Sequence, residues 1–246
     1  MQGNRCRYFV LVIVVWYAIT SPTPAHAGFN PFSKKAAGSG AGGSELLDQG
    51  VQLLTFLTIA TDLGVAAASD IADMYPPDKV AGVRDLSLKY NELKGKRTNG
   101  NIDAESLKLA TQVGQETALL EQNWQSYQKE KTSNVPKADR RLALMLAADG
   151  VAASKVPGLL DSLKNETSAM AGNPLALKSA GDIAVLVGVF TVVAQQLPSQ
   201  TSSFSTVRTI ARSIAKAENM HLADDVDPDT VKDTTSLQSV TKELTE

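Results

Sequence analysis

The chain has 246 residues, of which 43% are hydrophobic and only 5% aromatic, and its 24 basic and 26 acidic residues give a net charge of −2. This weakly acidic balance argues against nucleic-acid binding, because contacts to phosphate require clustered lysine and arginine. A single cysteine excludes an intramolecular disulfide, and two histidines are too few for a typical zinc site.

The first 27 residues have the pattern of a secretory signal peptide. Arg5 and Arg7 form a short basic start, the uncharged apolar run Tyr8–Ile19 follows, and Ala-His-Ala at 25–27 is a small-x-small cleavage pattern. The sequence therefore predicts Sec-type export from a bacterial cell, cleavage after Ala27 and a periplasmic or extracellular location. An uncleaved anchor is the alternative, but about a dozen apolar residues are few for roughly 30 Å of hydrocarbon.

Cleavage at this position changes the composition of the working protein. Removing 27 of the 246 residues leaves a mature chain of 219 residues, which is long enough for one domain. Cys6 leaves with the signal peptide, so the mature chain has no thiol and no disulfide. Arg5 and Arg7 leave as well, which shifts the net charge from −2 to −4. The mature fold must therefore be held by its hydrophobic core alone.

Residues 28–43 are predicted to form a flexible lead, because Ala-Ala-Gly-Ser-Gly-Ala-Gly-Gly at 36–43 has few side chains to bury. Gly38, Gly40 and Gly43 match the Gly-x-Gly-x-x-Gly pattern of dinucleotide-binding proteins. That pattern cradles phosphate when it follows a strand inside a βαβ unit, whereas here it follows a signal peptide. We therefore predict no nucleotide cofactor.

A long helix is predicted over residues 45–75, with Ser44 as its N-cap and Pro76–Pro77 as its end. Apolar residues cover most of its circumference, above all in the stretch 51–68. A thin polar stripe interrupts this surface and consists of Asp48, Gln52, Thr55, Thr58, Asp62, Ser69 and Asp73. Such a helix is either the centre of a bundle or a membrane-seeking segment.

Two amphipathic helices are predicted next, over residues 78–94 and 102–131, with a polar turn at 95–101 between them. The second of these helices has a regular apolar seam that includes Leu120 and Trp124. This spacing is typical of helices that pack against one another in a bundle.

Prolines are predicted to divide the following helices. Pro136 can open a helix that runs to about Lys155, and Pro157 is predicted to separate it from a shorter helix over 159–170. Asn173–Pro174 has the composition of a further helix start, because asparagine caps well and proline suits the first helical position.

The helix that follows Pro174 contains the second apolar stretch, residues 183–194, and is predicted to end at Pro198. The many β-branched residues of this stretch would also suit a buried strand, but no second strand candidate is evident, so a helix is predicted. A last core helix is predicted over residues 203–220.

The fold predicted from these elements is all-α: an antiparallel helical bundle of five to seven helices over residues 44–222. Residues 223–246 are rich in Ser, Thr and acidic residues and are predicted to form an acidic tail. A short helix can start there at Asp227–Pro228, with Leu237, Val240 and Leu244 on one side. The lead and the tail are expected to be the least ordered parts.

Few residues of the mature chain can support catalysis. His221 is its only histidine, and it is predicted to face solvent at the end of a helix. Asp62 and Asp182 each interrupt a strongly apolar stretch, where burial would raise the pKa of a carboxyl group. These two aspartates are therefore the positions at which a carboxylate-dependent enzyme would be sought.

The start of the tail has part of the pattern of a calcium-binding loop. Asp225, Asp227, Asp229 and Asp233 fall in the register of a calcium-binding loop, whereas the required glycine and glutamate are replaced by Thr230 and Ser236. We therefore predict no metal site, and we assign no catalytic or cofactor-binding residue from the sequence.

These observations predict an exported, non-catalytic helical protein that acts through protein–protein interaction or assembly in the bacterial envelope or outside the cell. One alternative is a membrane-active or apolar-ligand-handling protein that uses the stretches 51–68 and 183–194. A second alternative is a carboxylate-dependent enzyme. We expect binding to protein partners and no binding to nucleic acid. Contact with a membrane or with lipid is compatible with the sequence, which does not specify the oligomeric state.

Overall fold

The computed structural model describes residues 42–97, 100–120, 126–170, 177–223 and 226–244. Within these ranges the chain is helical and contains no strand, so the predicted all-α class is confirmed there. The stretch 183–194 is helical, as predicted. The predicted signal peptide and residues 28–41 of the predicted lead lie outside the described residues.

The described ranges contain six α-helices and three short 3-10 helices. The α-helices are α1 (Gly42–Ala72), α2 (Ala81–Lys96), α3 (Ala104–Ala118), α4 (Val135–Met170), α5 (Leu177–Ala217) and α6 (Thr234–Glu243). The 3-10 helices are Pro77–Lys79, Lys129–Asn134 and Pro228–Val231. Aspartates cap two of the helices: the carboxylate of Asp103 accepts the backbone N–H of Ser106 at the start of α3, and Asp233 does the same for Ser236 in α6.

The predictions that Pro157 would interrupt a helix and that Pro198 would end one are wrong. α4 continues through Pro157, and α5 continues through Pro198. A proline inside a helix removes a hydrogen bond from the carbonyl four residues earlier and costs about 3 kcal/mol. Here both prolines are exposed, and so are Ala153 and Ala194, whose carbonyls lose their partners. Water can therefore solvate these carbonyls while the buried faces of both helices remain continuous.

The helix predicted over 102–131 is shorter in the structure, where α3 ends at Ala118. A separate 3-10 helix covers Lys129–Asn134, and Trp124 of the predicted seam lies outside the described residues. Immediately before this 3-10 helix, the backbone N–H of Gln128 donates to the carbonyl of Met74 at 2.7 Å. This bond ties the segment to the end of α1, which an uninterrupted helix from α3 would not allow.

α1 occupies the middle of the packing, because it contacts each of the other five helices. Its fully buried residues include Leu57, Ala60, Ala67 and Ile71. The approach to its neighbours is close at Gly64, where an added methyl group would lie 2.6 Å from the Met145 sulfur. A larger residue at that position would require the Met145 side chain or the two helices to shift.

The described residues 226–244 pack against the other helices. Leu237 of α6 is fully buried, and so is Val231 just before it. Arg141 of α4 pairs with Asp70 of α1 and also donates from Nη2 to the backbone carbonyl of Leu244 at 3.4 Å. Burial raises the pKa of Asp70, whereas the charge of Arg141 opposes that shift. One arginine therefore connects α1, α4 and the end of α6.

Within the described ranges, three helical stretches are long and apolar enough to cross a membrane by length and composition: Glu45–Ala72, Lys129–Met170 and Ala180–Ala217. They differ in the share of each stretch that is buried by the rest of the protein. The most apolar window of the first is 67% buried, whereas that of the third is only 28% buried. The first half of α5 therefore presents an apolar surface that the rest of the described chain leaves uncovered.

Candidate functional site

A groove of about 480 Å³ lies between the first half of α1, the beginning of α5 and the loop that joins α2 to α3. Its apolar walls are formed by Leu47, Val51 and Leu54 from α1 and by Val185, Leu186 and Val189 from α5. The two apolar stretches singled out in the sequence, 51–68 and 183–194, therefore line one and the same groove.

The groove has a buried floor and exposed edges. Leu54 and Leu186 are buried, whereas Val51 and Val185 are among the exposed large hydrophobic residues of the described chain. The two helices are in close contact beside it, since a methyl group on Gly50 would lie 2.8 Å from Leu186 Cδ1. A cavity of this size and lining is typical of sites for small apolar molecules.

The polar end of the groove is built around Arg97, the residue that follows α2. Its side chain is only 4% exposed. Arg97 Nη1 donates to Asp62 Oδ1 at 3.1 Å, Nη2 donates to the hydroxyl of Tyr90 at 2.8 Å, and the guanidinium carbon lies 5.2 Å from the centre of the Tyr90 ring. These contacts fix the guanidinium group in the groove wall.

Arg97 Nε is different, because it is buried and has no hydrogen-bond partner among the described residues. A buried donor without an acceptor is uncommon in folded proteins. Arg97 is also one of the residues that line the groove, although this nitrogen itself has no contact with solvent.

Asp62 is the anchor of this polar cluster. Its carboxylate accepts hydrogen bonds from the Tyr90 hydroxyl and from Arg97, and it lies 3.0 Å from Lys94 Nζ. Burial raises the pKa of Tyr90 well above its usual range, and the neighbouring Asp62 charge acts in the same direction, so Tyr90 stays a hydrogen-bond donor. Two cations thus surround one carboxylate, and Asp62 is engaged in holding α1 to α2.

Asp182, the other candidate carboxylate, lies at the groove but is exposed. The structure therefore places Asp62 in an ion cluster and Asp182 on an open edge. This arrangement gives neither aspartate the buried, partner-free setting that favours a general acid or base.

The loop that closes the groove is fastened to the polar stripe of α1. Thr55 Oγ1 donates to Asn101 Oδ1 at 2.8 Å, and the backbone N–H of Ile102 donates to Thr58 Oγ1 at 2.7 Å. The polar stripe is visible in the sequence, but its role in holding this loop is not. Its signal was the spacing of Thr55, Thr58 and Asp62, which places three polar groups on one side of an otherwise apolar helix.

The most perturbed carboxyl group of the described chain outside the groove is that of Asp149, on α4. It is 1% exposed, and its only hydrogen-bond partner among the described residues is the Thr201 hydroxyl of α5, at 3.0 Å from Oδ2. Burial raises the pKa of Asp149 to about 7, although the bond from Thr201 opposes the shift. Sequence analysis favoured Asp62 and Asp182 over this residue.

The remaining candidates for chemistry stand apart from the groove. His221 is exposed beyond the end of α5. Of the aspartates in the calcium-loop register, Asp225 lies outside the described residues, and Asp233 caps α6, where the N–H of Ser236 lowers its pKa. Within the described ranges, no three His, Cys, Asp or Glu side chains are grouped so that they could hold a metal ion.

No protein-family model, curated protein or solved structure matches this chain. The groove combines apolar walls from α1 and α5 with charged residues at Arg97 and at Asp182.

Proposed function

We propose that this protein is an exported, non-catalytic helical protein and that it acts by binding an apolar ligand in the groove between α1 and α5. The observation that carries the proposal is the meeting of the two apolar stretches in one groove whose edges, Val51 and Val185, are exposed. Apolar surface in contact with water is costly, and a ligand that covers it gains the hydrophobic free energy of its burial.

The proposal includes a bundle in which α4 runs antiparallel to both α1 and α5. Asp139 pairs with Arg208 and Asp149 with Thr201, so residue numbers rise along α4 as they fall along α5. The same reversal relates α4 to α1, where Asp70 pairs with Arg141 and Gly64 lies beside Met145. Ligand sites in helical bundles commonly lie between facing helices, as this groove does.

A charge placed on the groove edge is expected to weaken ligand binding without unfolding the protein. Val185→Glu inserts a carboxylate among the apolar walls, whereas Leu88→Glu makes the same change on α2 at a residue that does not line the groove. The two side chains are 66% and 63% exposed, so neither change costs core packing. Val185→Glu is expected to weaken binding of a neutral apolar fluorophore, N-phenyl-1-naphthylamine, by about tenfold or more.

The readout is the fluorescence of the bound dye, titrated against each purified variant. Leu88→Glu is expected to bind like the unaltered protein, and both variants are expected to keep their helical circular dichroism. Equal binding by both variants would place the dye elsewhere and contradict the proposed site.

A second candidate is interaction with a protein partner, or assembly, through the same edge of α5. The observation that favours it is the low coverage of this helix, since large exposed apolar surfaces often mark contact sites. A photo-crosslinking residue at Val185, compared with one at Leu88, tests it in the producing cell. Protein adducts specific to Val185 support this candidate. Lipid adducts specific to that position indicate membrane contact instead.

Export is tested by the mass of the protein recovered from the cells that make it. Cleavage after Ala27 is expected to give a chain that begins at Gly28. The double change Ala25→Leu and Ala27→Leu is expected to block this cleavage, because the site requires small residues, whereas Ala36→Leu in the lead is expected to have no effect. A recovered chain that retains residues 1–27 would contradict the prediction.

A further inference from the structure

Pro198 divides α5 into two halves that are attached to the bundle in different ways. Among the described side chains, the hydrogen bonds and ion pairs that join α5 to other helices all lie after this proline. Residues 183–197 are held by apolar packing, as where Leu186 lies against Gly50. The polar contacts of the second half pair Ser199 with Gln115, Gln200 with Thr61, Thr201 with Asp149, and both Arg208 and Arg212 with Asp139.

We propose that Asp149 is a proton-sensitive switch that controls the half of α5 before Pro198. While its carboxyl group is neutral, α5 stays packed against the bundle along its whole length. When the group releases its proton to solvent, residues 183–197 move away from the bundle about Pro198, and water reaches the carboxylate. The second half of α5 stays in place.

The surroundings of Asp149 suit a neutral carboxyl group and not a charged one. Asp149 is 1% exposed, its Oδ2 accepts the Thr201 hydroxyl at 3.0 Å, and its Oδ1 is buried without a hydrogen-bond partner among the described residues. A protonated carboxyl group supplies a donor to this interior, whereas a carboxylate has only acceptors and a charge that is costly to bury alone. Burial accordingly raises the pKa of Asp149 to about 7, so the group changes its charge near neutral pH.

No neighbouring cation of the described chain compensates a charge on Asp149, whose pKa responds to burial and to the bond from Thr201. α5 has no ionisable side chain between residues 182 and 208, and α1 has none between residues 48 and 62. In the segment before α6, which also packs against α4, Asp227 is exposed. The charged side chains that flank Asp149 on these elements are engaged elsewhere: Arg141 with Asp70, Lys155 and Lys232 with Asp233, Arg97 with Asp62, and Arg208 with Asp139.

The half of α5 before Pro198 is the part that is free to move. Pro198 has no N–H to bond the carbonyl one turn earlier, so the helix is weakest at this point. Leu197 lies one turn before Thr201 on the same side of α5 and is 4% exposed, so its withdrawal gives water access to Asp149. Fully buried Phe204 and the ion pairs after Pro198 hold the second half.

The switch acts on the groove between α1 and α5. Val185, Leu186 and Val189, which line this groove, all belong to the half that moves. The groove therefore opens as the pH rises through the pKa of Asp149. The movement itself requires no ligand and is tested on the ligand-free protein.

Hydrogen–deuterium exchange measured by mass spectrometry follows such local opening. The exchange rate of each peptide is divided by the intrinsic rate of its amides at the same pH. From pH 5 to pH 8 this ratio is expected to rise about tenfold or more over residues 183–197, because the opened form has the lower pKa and gains population as the pH rises. Residues 204–215 are expected to change much less.

Two variants test the two parts of the switch. Asp149→Asn has no proton to lose and is expected to keep the pH 5 ratio at pH 8, whereas Asp161→Asn, an exposed change on the same helix, is expected to behave like the unaltered protein. Pro198→Ala restores the missing backbone hydrogen bond at an exposed position, so it joins the two halves. It is expected to remove most of the rise over residues 183–197, and it keeps the inference testable if Asp149→Asn impairs folding.

The outcomes are distinct. A rise confined to residues 183–197 that both Asp149→Asn and Pro198→Ala remove supports the switch. A rise shared equally by α1, α4 and both halves of α5 shows loss of overall stability and overturns it, and so does a rise that persists in Asp149→Asn. A local rise that persists in Pro198→Ala overturns the hinge at that residue. None of these results depends on a bound ligand, so failure of the switch leaves the proposed apolar site standing.

Discussion

Replacing Asp149 with asparagine is expected to stabilise the protein more at pH 8 than at pH 4. At each pH the variant is compared with the unaltered protein. Burial raises the pKa of Asp149 to about 7 in the folded protein, against 3.8 for an ordinary aspartate. The folded state therefore holds the proton more tightly than the unfolded state does. The contribution of Asp149 to the free energy of unfolding is fully present below pH 3.8 and is lost as the pH rises through 7.

The size of this effect follows from the two pKa values. Ionising a carboxyl group that is 1% exposed costs on the order of 4 kcal/mol over this pH range, whereas asparagine has no charge to bury. The difference in the free energy of unfolding between Asp149→Asn and the unaltered protein is therefore expected to grow by about that amount from pH 4 to pH 8. Asparagine can still accept the Thr201 hydroxyl, so the packing of α4 on α5 is preserved.

Urea unfolding followed by circular dichroism at both pH values measures this difference. Asp161→Asn, an exposed change on the same helix, is the matched control and is expected to show little pH dependence. If the Asp149→Asn difference is the same at pH 4 and pH 8, then Asp149 is not held in a desolvated environment.

The all-helical class was predictable from the sequence because apolar residues recur with helical spacing along most of the described chain. α1 illustrates this: the predicted helix over 45–75 agrees with the observed Gly42–Ala72 within a few residues at each end. Its nearly continuous apolar surface also has a visible cause, since α1 contacts all five other helices. Patterns that repeat over many turns are robust to errors at single positions.

Helix ends were harder to predict because tertiary packing can outweigh a single residue that locally favours the end of a helix. Pro157 and Pro198 are strong local breakers, yet α4 and α5 pass through both. Val156 and Leu160 on α4 and Leu197 on α5 are buried, and their burial stabilises helices that continue past the prolines. This stabilisation cannot be read from a short stretch of sequence, because it depends on which neighbours cover the helix.

The groove could be predicted only in part. Sequence analysis identified both apolar stretches, but their meeting depends on the path of the chain between residues 68 and 183. Arg97 falls in a segment whose composition predicts a turn, and nothing local indicates that Tyr90 and Asp62 bury it. Asp149 was one of several aspartates in apolar surroundings, and only the packing of α5 against α4 distinguishes it.

Asp139→Asn is expected to be the most destabilising of the conservative changes considered for this protein. Asp139 is 3% exposed on α4, and its Oδ1 accepts Arg208 Nε at 3.1 Å and Arg212 Nε at 3.2 Å from α5. Removing the charge leaves both cations without their shared carboxylate, a loss of about 3 kcal/mol or more at a buried ion pair.

Asp78→Asn is the matched control for this change, because Asp78 also pairs with a cation, Lys79 at 3.5 Å, but on the surface. An exposed pair of this kind contributes less than about 1 kcal/mol. Urea unfolding at pH 7 is expected to separate the two variants clearly. If Asp139→Asn costs no more than Asp78→Asn, the contact between α4 and α5 depends on apolar packing alone, and the ion pairs of Asp139 add nothing to it.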